Sequence, residues 1–111
     1  MKDIISFIEE EMSKREMTYD MLAKKIGTSR QNLWMKLNQK KRPNFGTIRK
    51  ILLGLDVGLI IKNKRNMEEL SAEDIALFFE IADNEQVSYI AIETFLSALG
   101  YTLEMDTRKN E

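Results

Sequence analysis

The sequence has no cysteine and no histidine. Disulfides and thiolate metal sites are therefore excluded, and the commonest metal ligand and acid–base side chain is missing too. The single proline, Pro43, biases Arg42 away from helix and marks a loop. No apolar run is long enough to span a bilayer; the longest, 51–61, is interrupted by Asp56. The first residues turn acidic after a few apolar positions and form no secretory h-region, so a cytoplasmic protein is expected. Metal-ligand spacings, nucleophile elbows and phosphate loops are absent from the pattern, and carboxylate pairs such as Glu68–Glu69 or Glu73–Asp74 have no pocket argument behind them. The expectation is a protein that is not an enzyme and uses no metal or cofactor.

What is present is an ordinary apolar fraction, 43%, and a high charged fraction, 32%, in 111 residues. That is one domain, or one domain with a small appendage, able to form a core without staples. The net charge of −1 conceals a division. Residues 1–66 hold 15 Lys/Arg against 7 Asp/Glu, and residues 67–111 hold 2 against 11, so a half at +8 precedes a half at −9. The basic half can supply sequence-independent attraction to phosphates. The acidic half should face away from nucleic acid or towards a basic surface.

The stretch Thr18–Asn38 reads as two short helices and a tight turn. Leu22, Ala23 and Ile26 give the first an apolar face, Gly27 stops it, and Thr28 and Ser29 are candidate N-caps for the second. Leu33 and Leu37, four apart, point the second helix inward. Its exposed tip leads with Arg30, Gln31 and Asn32, whose bidentate groups match guanine and adenine edges in a major groove. Lys40, Lys41 and Arg42 follow, placed to hold phosphates beside such a helix.

Around this stretch the periodicity predicts a helix over 4–16, capped by Asp3, with Ile5, Ile8 and Met12 inward and the 9–11 Glu run on the solvated face. Asn44 should cap a helix to about Leu55 with Phe45, Ile48, Ile51, Leu52 and Leu55 buried. Residues 57–62 read as a strand and 63–70 as a connector. Ser71 and Asp74 form a capping box for a fifth helix, with Ile75, Phe78, Phe79 and Ala82 as its stripe. A sixth runs from about Val87 to Leu99, with Ile92, Phe95, Leu96 and Leu99 inward, and residues 101–105 alternate as a half-exposed strand. The 45–61 stretch repeats in pattern at 89–105, each a helix, a turn and a strand. The two strands should pair, within one chain or across a dimer. The fold class expected is mainly α: a bundle of four to five helices, a short strand, two further helices and a terminal strand. The divisions are 1–62 for the first domain, 63–70 for the connector, 71–107 for the acidic segment and 108–111 for a frayed tail.

The run Leu22-Ala23-Lys24-Lys25-Ile26-Gly27-Thr28-Ser29, continued by Arg30-Gln31-Asn32-Leu33, Lys36-Leu37, Asn44-Phe45 and 48–55, resembles the lambda-repressor-like, Xre/Cro-type helix-turn-helix family. The resemblance covers residues 3 to about 56. It implies a compact helical bundle that binds double-stranded DNA, usually as a dimer, with its second helix in the major groove. It places Arg30, Gln31 and Asn32 as base readers, with Trp34 and Met35 one turn further along. It implies phosphate contacts at Tyr19 and Ser29, and Lys36 joins the basic run as a phosphate candidate.

Two functions are open at this point. One is a sequence-specific repressor binding an inverted repeat as a homodimer, with Phe78, Phe79, Tyr101, Leu103 and Met105 as dimer or partner contacts. The other is an antitoxin or phage-type inhibitor whose acidic segment occupies a protein partner's basic surface, with DNA binding for autoregulation. Neither involves a membrane.

Overall fold

Each of the six described helices opens on a side chain that accepts from an amide of its first turn. The computed structural model describes residues 3–38 and 43–107. Asp3 accepts from the Ser6 amide at 2.8 Å to start α1 (Ile4–Lys14). Thr18 does the same for α2 (Tyr19–Ile26), Asn44 for α4 (Phe45–Gly54), Ser71 for α5 (Ala72–Asn84) and Ser88 for α6 (Tyr89–Ala98). The remaining helix, α3 (Arg30–Asn38), follows Ser29, whose hydroxyl accepts from the Asn32 amide at 3.1 Å. The strands β1 (Gly58–Asn63) and β2 (Tyr101–Asp106) form one antiparallel pair within the chain.

One apolar core runs through both halves. It takes Ile4 and Ile8 from α1, Leu22 from α2, Leu33 and Leu37 from α3, most of α4, and Phe79, Ile92, Leu96 and Leu103 from the acidic half. The two halves are also tied by charge. Arg49 of α4 reaches Asp83 of α5 at 2.6 Å and lies over the Phe79 ring at 5.1 Å. The segment after β1 doubles back beside it, with the Leu70 amide donating to the Ile61 carbonyl.

The repeat in the sequence is a pseudo-two-fold in the fold. A shift of 44 residues carries Phe45 onto Tyr89 and Ile60 onto Glu104. In the sheet, Ile60 pairs with Glu104, so the centre of the ladder joins a residue to its own counterpart. The helix starts are joined in the same way. The Phe45 amide donates to the Val87 carbonyl at 2.8 Å, and the Tyr89 amide donates to the Pro43 carbonyl at 2.9 Å. The Phe45 and Tyr89 rings stack with centroids 5.8 Å apart. Each helix leads into its strand through a left-handed residue, Asp56 at φ 59° and Gly100 at φ 90°. Ile48 and Ile92, Leu52 and Leu96, and Leu59 and Leu103 are buried in both units.

Of the two pairings expected for the strands, the structure has the one within the chain. Several other expectations are corrected. Phe79 and Leu103 are core residues, because α5 packs Phe79 on Phe45 at 5.5 Å and β2 turns Leu103 inward; neither is available as a surface contact. Tyr101 and Met105 lie on that same inward side, half-buried, and the Tyr89 hydroxyl donates to Met105 Sδ at 3.7 Å. Phe78 is half-buried, edge-on to Phe79. Phe95 and Leu99, expected inward, are 55% and 58% exposed. Ile4 rather than Ile5 is fully buried in α1. Glu11 is buried rather than solvated, since Arg15 at 2.6 Å and Lys14 at 3.1 Å neutralise it. Burial opposes its ionisation, but the hydrogen bonds from Arg15 and Lys14 outweigh it and hold the carboxyl below the ordinary range.

Candidate nucleic-acid interface

The angle between α2 and α3 is set by the residues between them. Gly27 takes φ 78°, a left-handed conformation that costs glycine nothing. The Gly27 amide donates to the Lys24 carbonyl and the Thr28 amide to the Ala23 carbonyl, closing α2 with the two bonds of a Schellman turn. The Asn32 side-chain amide donates to Thr28 Oγ1 at 2.7 Å, so the turn is also held from the α3 side. Leu33 and Leu37 are buried, at 1% and 5% exposure, and anchor α3 in the core.

With those two leucines inward, helical spacing turns Gln31 and Met35 to the opposite side, with Trp34 and Asn32 flanking. Arg30, Gln31, Trp34, Met35 and Lys36 are all exposed. Trp34 and Met35 present more than half of their surface, 53% and 54%, an unusual position for apolar side chains on an otherwise polar helix. Arg30, Gln31 and Trp34 line one shallow depression. A guanidinium, a primary amide and an indole on one convex helix are the group types that can meet base edges and thymine methyls.

The flanks differ from each other. On one side, Arg30 also borders a cleft between α1 and α2 lined by Glu9, Tyr19 and Asp20. The Tyr19 hydroxyl is directed at the Glu9 carboxylate, 3.4 Å away, so Tyr19 braces α2 against α1 and a phosphate there would meet carboxylates. On the other side, Lys36 shares a cleft with Thr28, Asn32, Thr47 and Lys50. Two ammonium groups, an exposed turn and the start of α3 make this the more favourable side for a phosphate. Ser29, having accepted from Asn32, still has its hydroxyl proton to donate. Asn32 is anchored to the turn, which gives it a positioning part beside any contact it makes. Lys40, Lys41 and Arg42 lie outside the described residues.

Lys50 was not singled out from the sequence. Its place on the exposed side of α4 was legible, but its approach to Lys36 depends on how α3 crosses α4.

A convex polar helix presented by a glycine turn, with cationic side chains on one flank, defines a helix-turn-helix DNA-binding protein. Residues 8–59 match the family model of the Cro/C1-type HTH DNA-binding domain, so that stretch of the chain is a domain of this type. The chain is accordingly a DNA-binding regulator. Neither the curated proteins nor the solved structures give a match to the chain. Among the described residues, no helix is long and apolar enough to cross a membrane.

Proposed function

We propose that the protein is a sequence-specific transcriptional repressor of the cytoplasm that binds a short inverted repeat as a homodimer, without catalysis. The observation that carries this reading is the outward face of α3. Arg30, Gln31, Trp34 and Met35 are exposed together on a helix whose inward face and N-terminal turn are both fixed. In this reading Gln31 pairs with an adenine edge and Arg30 with a guanine, while Trp34 and Met35 contact thymine methyls or sugar. Ser29, Lys36 and Lys50 contact phosphates on the α4 side, with the 40–42 basic run extending that contact.

Binding to the DNA upstream of the chain's own coding region, measured at several salt concentrations, tests this. Each bidentate pair supplies about 1–3 kcal/mol of discrimination, so Arg30→Ala with Gln31→Ala should collapse specific binding towards the non-specific level. The salt slope should shift little, because phosphate contacts set it. Tight, salt-sensitive, sequence-selective binding that survives both substitutions would overturn the assignment.

A further inference from the structure

The pseudo-two-fold exposes an inequality between its halves. On α4, Ile51 and Leu55 are fully buried, and the edge that includes Gly54 lies against Leu22 and Ile26 of α2. The counterparts on α6 are Phe95, Leu99 and Ala98, and all three are exposed, with Ala91 beside them. The second unit thus carries the same apolar helix edge as the first but has no equivalent of α2 among the described residues.

From this we infer that the Ala91–Phe95–Ala98–Leu99 edge of α6 is the dimer interface, and that its occupant is the same edge of a second copy. Three observations favour a copy of this chain over an unrelated protein. The helix that covers α4 does so with an apolar pair four residues apart, Leu22 and Ile26, and α6 offers the same spacing in Phe95 and Leu99. The edge carries no carboxylate: Glu93 is the one ionisable carboxylate or cation in α6 and lies off this edge by helical spacing, while Lys64 and Arg65 border its Ala98–Leu99 end. Two copies of an acidic segment can therefore meet here without opposing carboxylates, and an antiparallel contact keeps the two cationic ends apart. The sizes also match, since antiparallel contact about Phe95 places Leu99 of each copy against Ala91 of the other, large on small. This inference supplies the contact that the proposed homodimer requires, and it rests on that reading.

A single helix edge is smaller than the roughly 800 Å² per partner of a standard interface, so dissociation in the micromolar range is expected without DNA. The chain has no cysteine, so Phe95→Cys introduces a sole thiol on the two-fold axis. Under mild oxidation it should form a disulfide-linked dimer, whereas Leu53→Cys, equally exposed on α4 at 56%, should remain largely monomeric. In light scattering across a concentration series, Phe95→Glu should raise the dimer dissociation constant at least about 30-fold. Its circular dichroism should match the parent's. Three results would overturn the interface: a wild-type mass that stays monomeric at about a hundred times micromolar, a Phe95→Cys variant that cross-links no faster than Leu53→Cys, or a dimer indifferent to Phe95→Glu. Should the glutamate variant lose its fold, the cysteine pair still decides. A monomer that binds DNA through Arg30 and Gln31 would remove the interface and leave the base readers standing. A Phe95-dependent dimer with no DNA affinity would do the reverse.

Discussion

Gly54 is where a single methyl group tests how α2 and α4 fix the recognition helix. A Cβ at Gly54 would stand 2.5 Å from Ile26 Cγ2 and 3.0 Å from Leu22 Cδ1. Ile26 cannot simply swing aside, because Cγ2 is bonded to its β-carbon and a β-branched χ1 is stiff in a helix. Overpacking of this kind costs about 1–3 kcal/mol. Replacing glycine by alanine in a helix returns at most about 1 kcal/mol of propensity, and less here at the last turn. Gly54→Ala should therefore destabilise by up to about 2 kcal/mol net, at about 4 °C of melting temperature per kcal/mol for a chain of this size. The decisive measurement is a double-mutant cycle with Ile26→Ala, which removes the obstructing methyl. The coupling should be at least about 1 kcal/mol in the direction of rescue. DNA affinity of the single variant should drop even where it is fully folded, because displacing α2 moves α3. The pseudo-equivalent site supplies the control: Ala98→Gly, also at a last turn, should cost less than about 1 kcal/mol of propensity and show no coupling to Ile26. If Gly54→Ala raised the melting temperature and the cycle closed to zero, the close approach of α2 to α4 would be refuted.

Two further predictions concern pH. Burial raises the Glu93 carboxyl above its ordinary pKa, so the folded state holds that proton more tightly than the unfolded chain does. Its ionisation costs nothing below the unfolded value of about 4.3, costs more as pH rises to the folded value and is constant beyond. Glu93→Gln should then raise the melting temperature at pH 7 and leave it unchanged near pH 3.5; equal gains at both would refute the burial argument. Glu11 has the opposite sign: its folded pKa is lowered, so its contribution is present above the unfolded value and lost as pH falls through the folded one. Glu11→Gln should be destabilised at neutral pH, with the gap from the parent closing on acidification; a gap independent of pH would refute the ion-pair account.

Local signals in the sequence were read directly where a single residue sets the backbone. Gly27, Asn44 and Ser71 each stop or cap the helix expected of them, since those effects depend on one turn of chain. The exposed side of α3 was legible for the same reason: Leu33 and Leu37 fix it. Periodicity failed where a helix is apolar on more than one side. In α6 it offered Ile92, Leu96, Phe95 and Leu99 alike, and among the described residues the first two are buried and the last two are not. The Glu run misled because Arg15, four residues after Glu11, can neutralise a carboxylate on the inward side of α1. That the two strands pair was legible from the repeat, but not whether they do so within one chain, because alternation reports which side is wet and not where the partner comes from.

The crossed amides at the two helix starts have a mechanical consequence. Pro43, the first described residue after the basic run, is held by the Tyr89 amide at the head of α6. Load applied to α6 by a neighbouring molecule is passed through that bond to the head of α4, whose far end at Gly54 lies against Leu22 and Ile26 of α2. A partner seated on α6 should therefore be felt at the turn that holds α3, by way of α4 and α2.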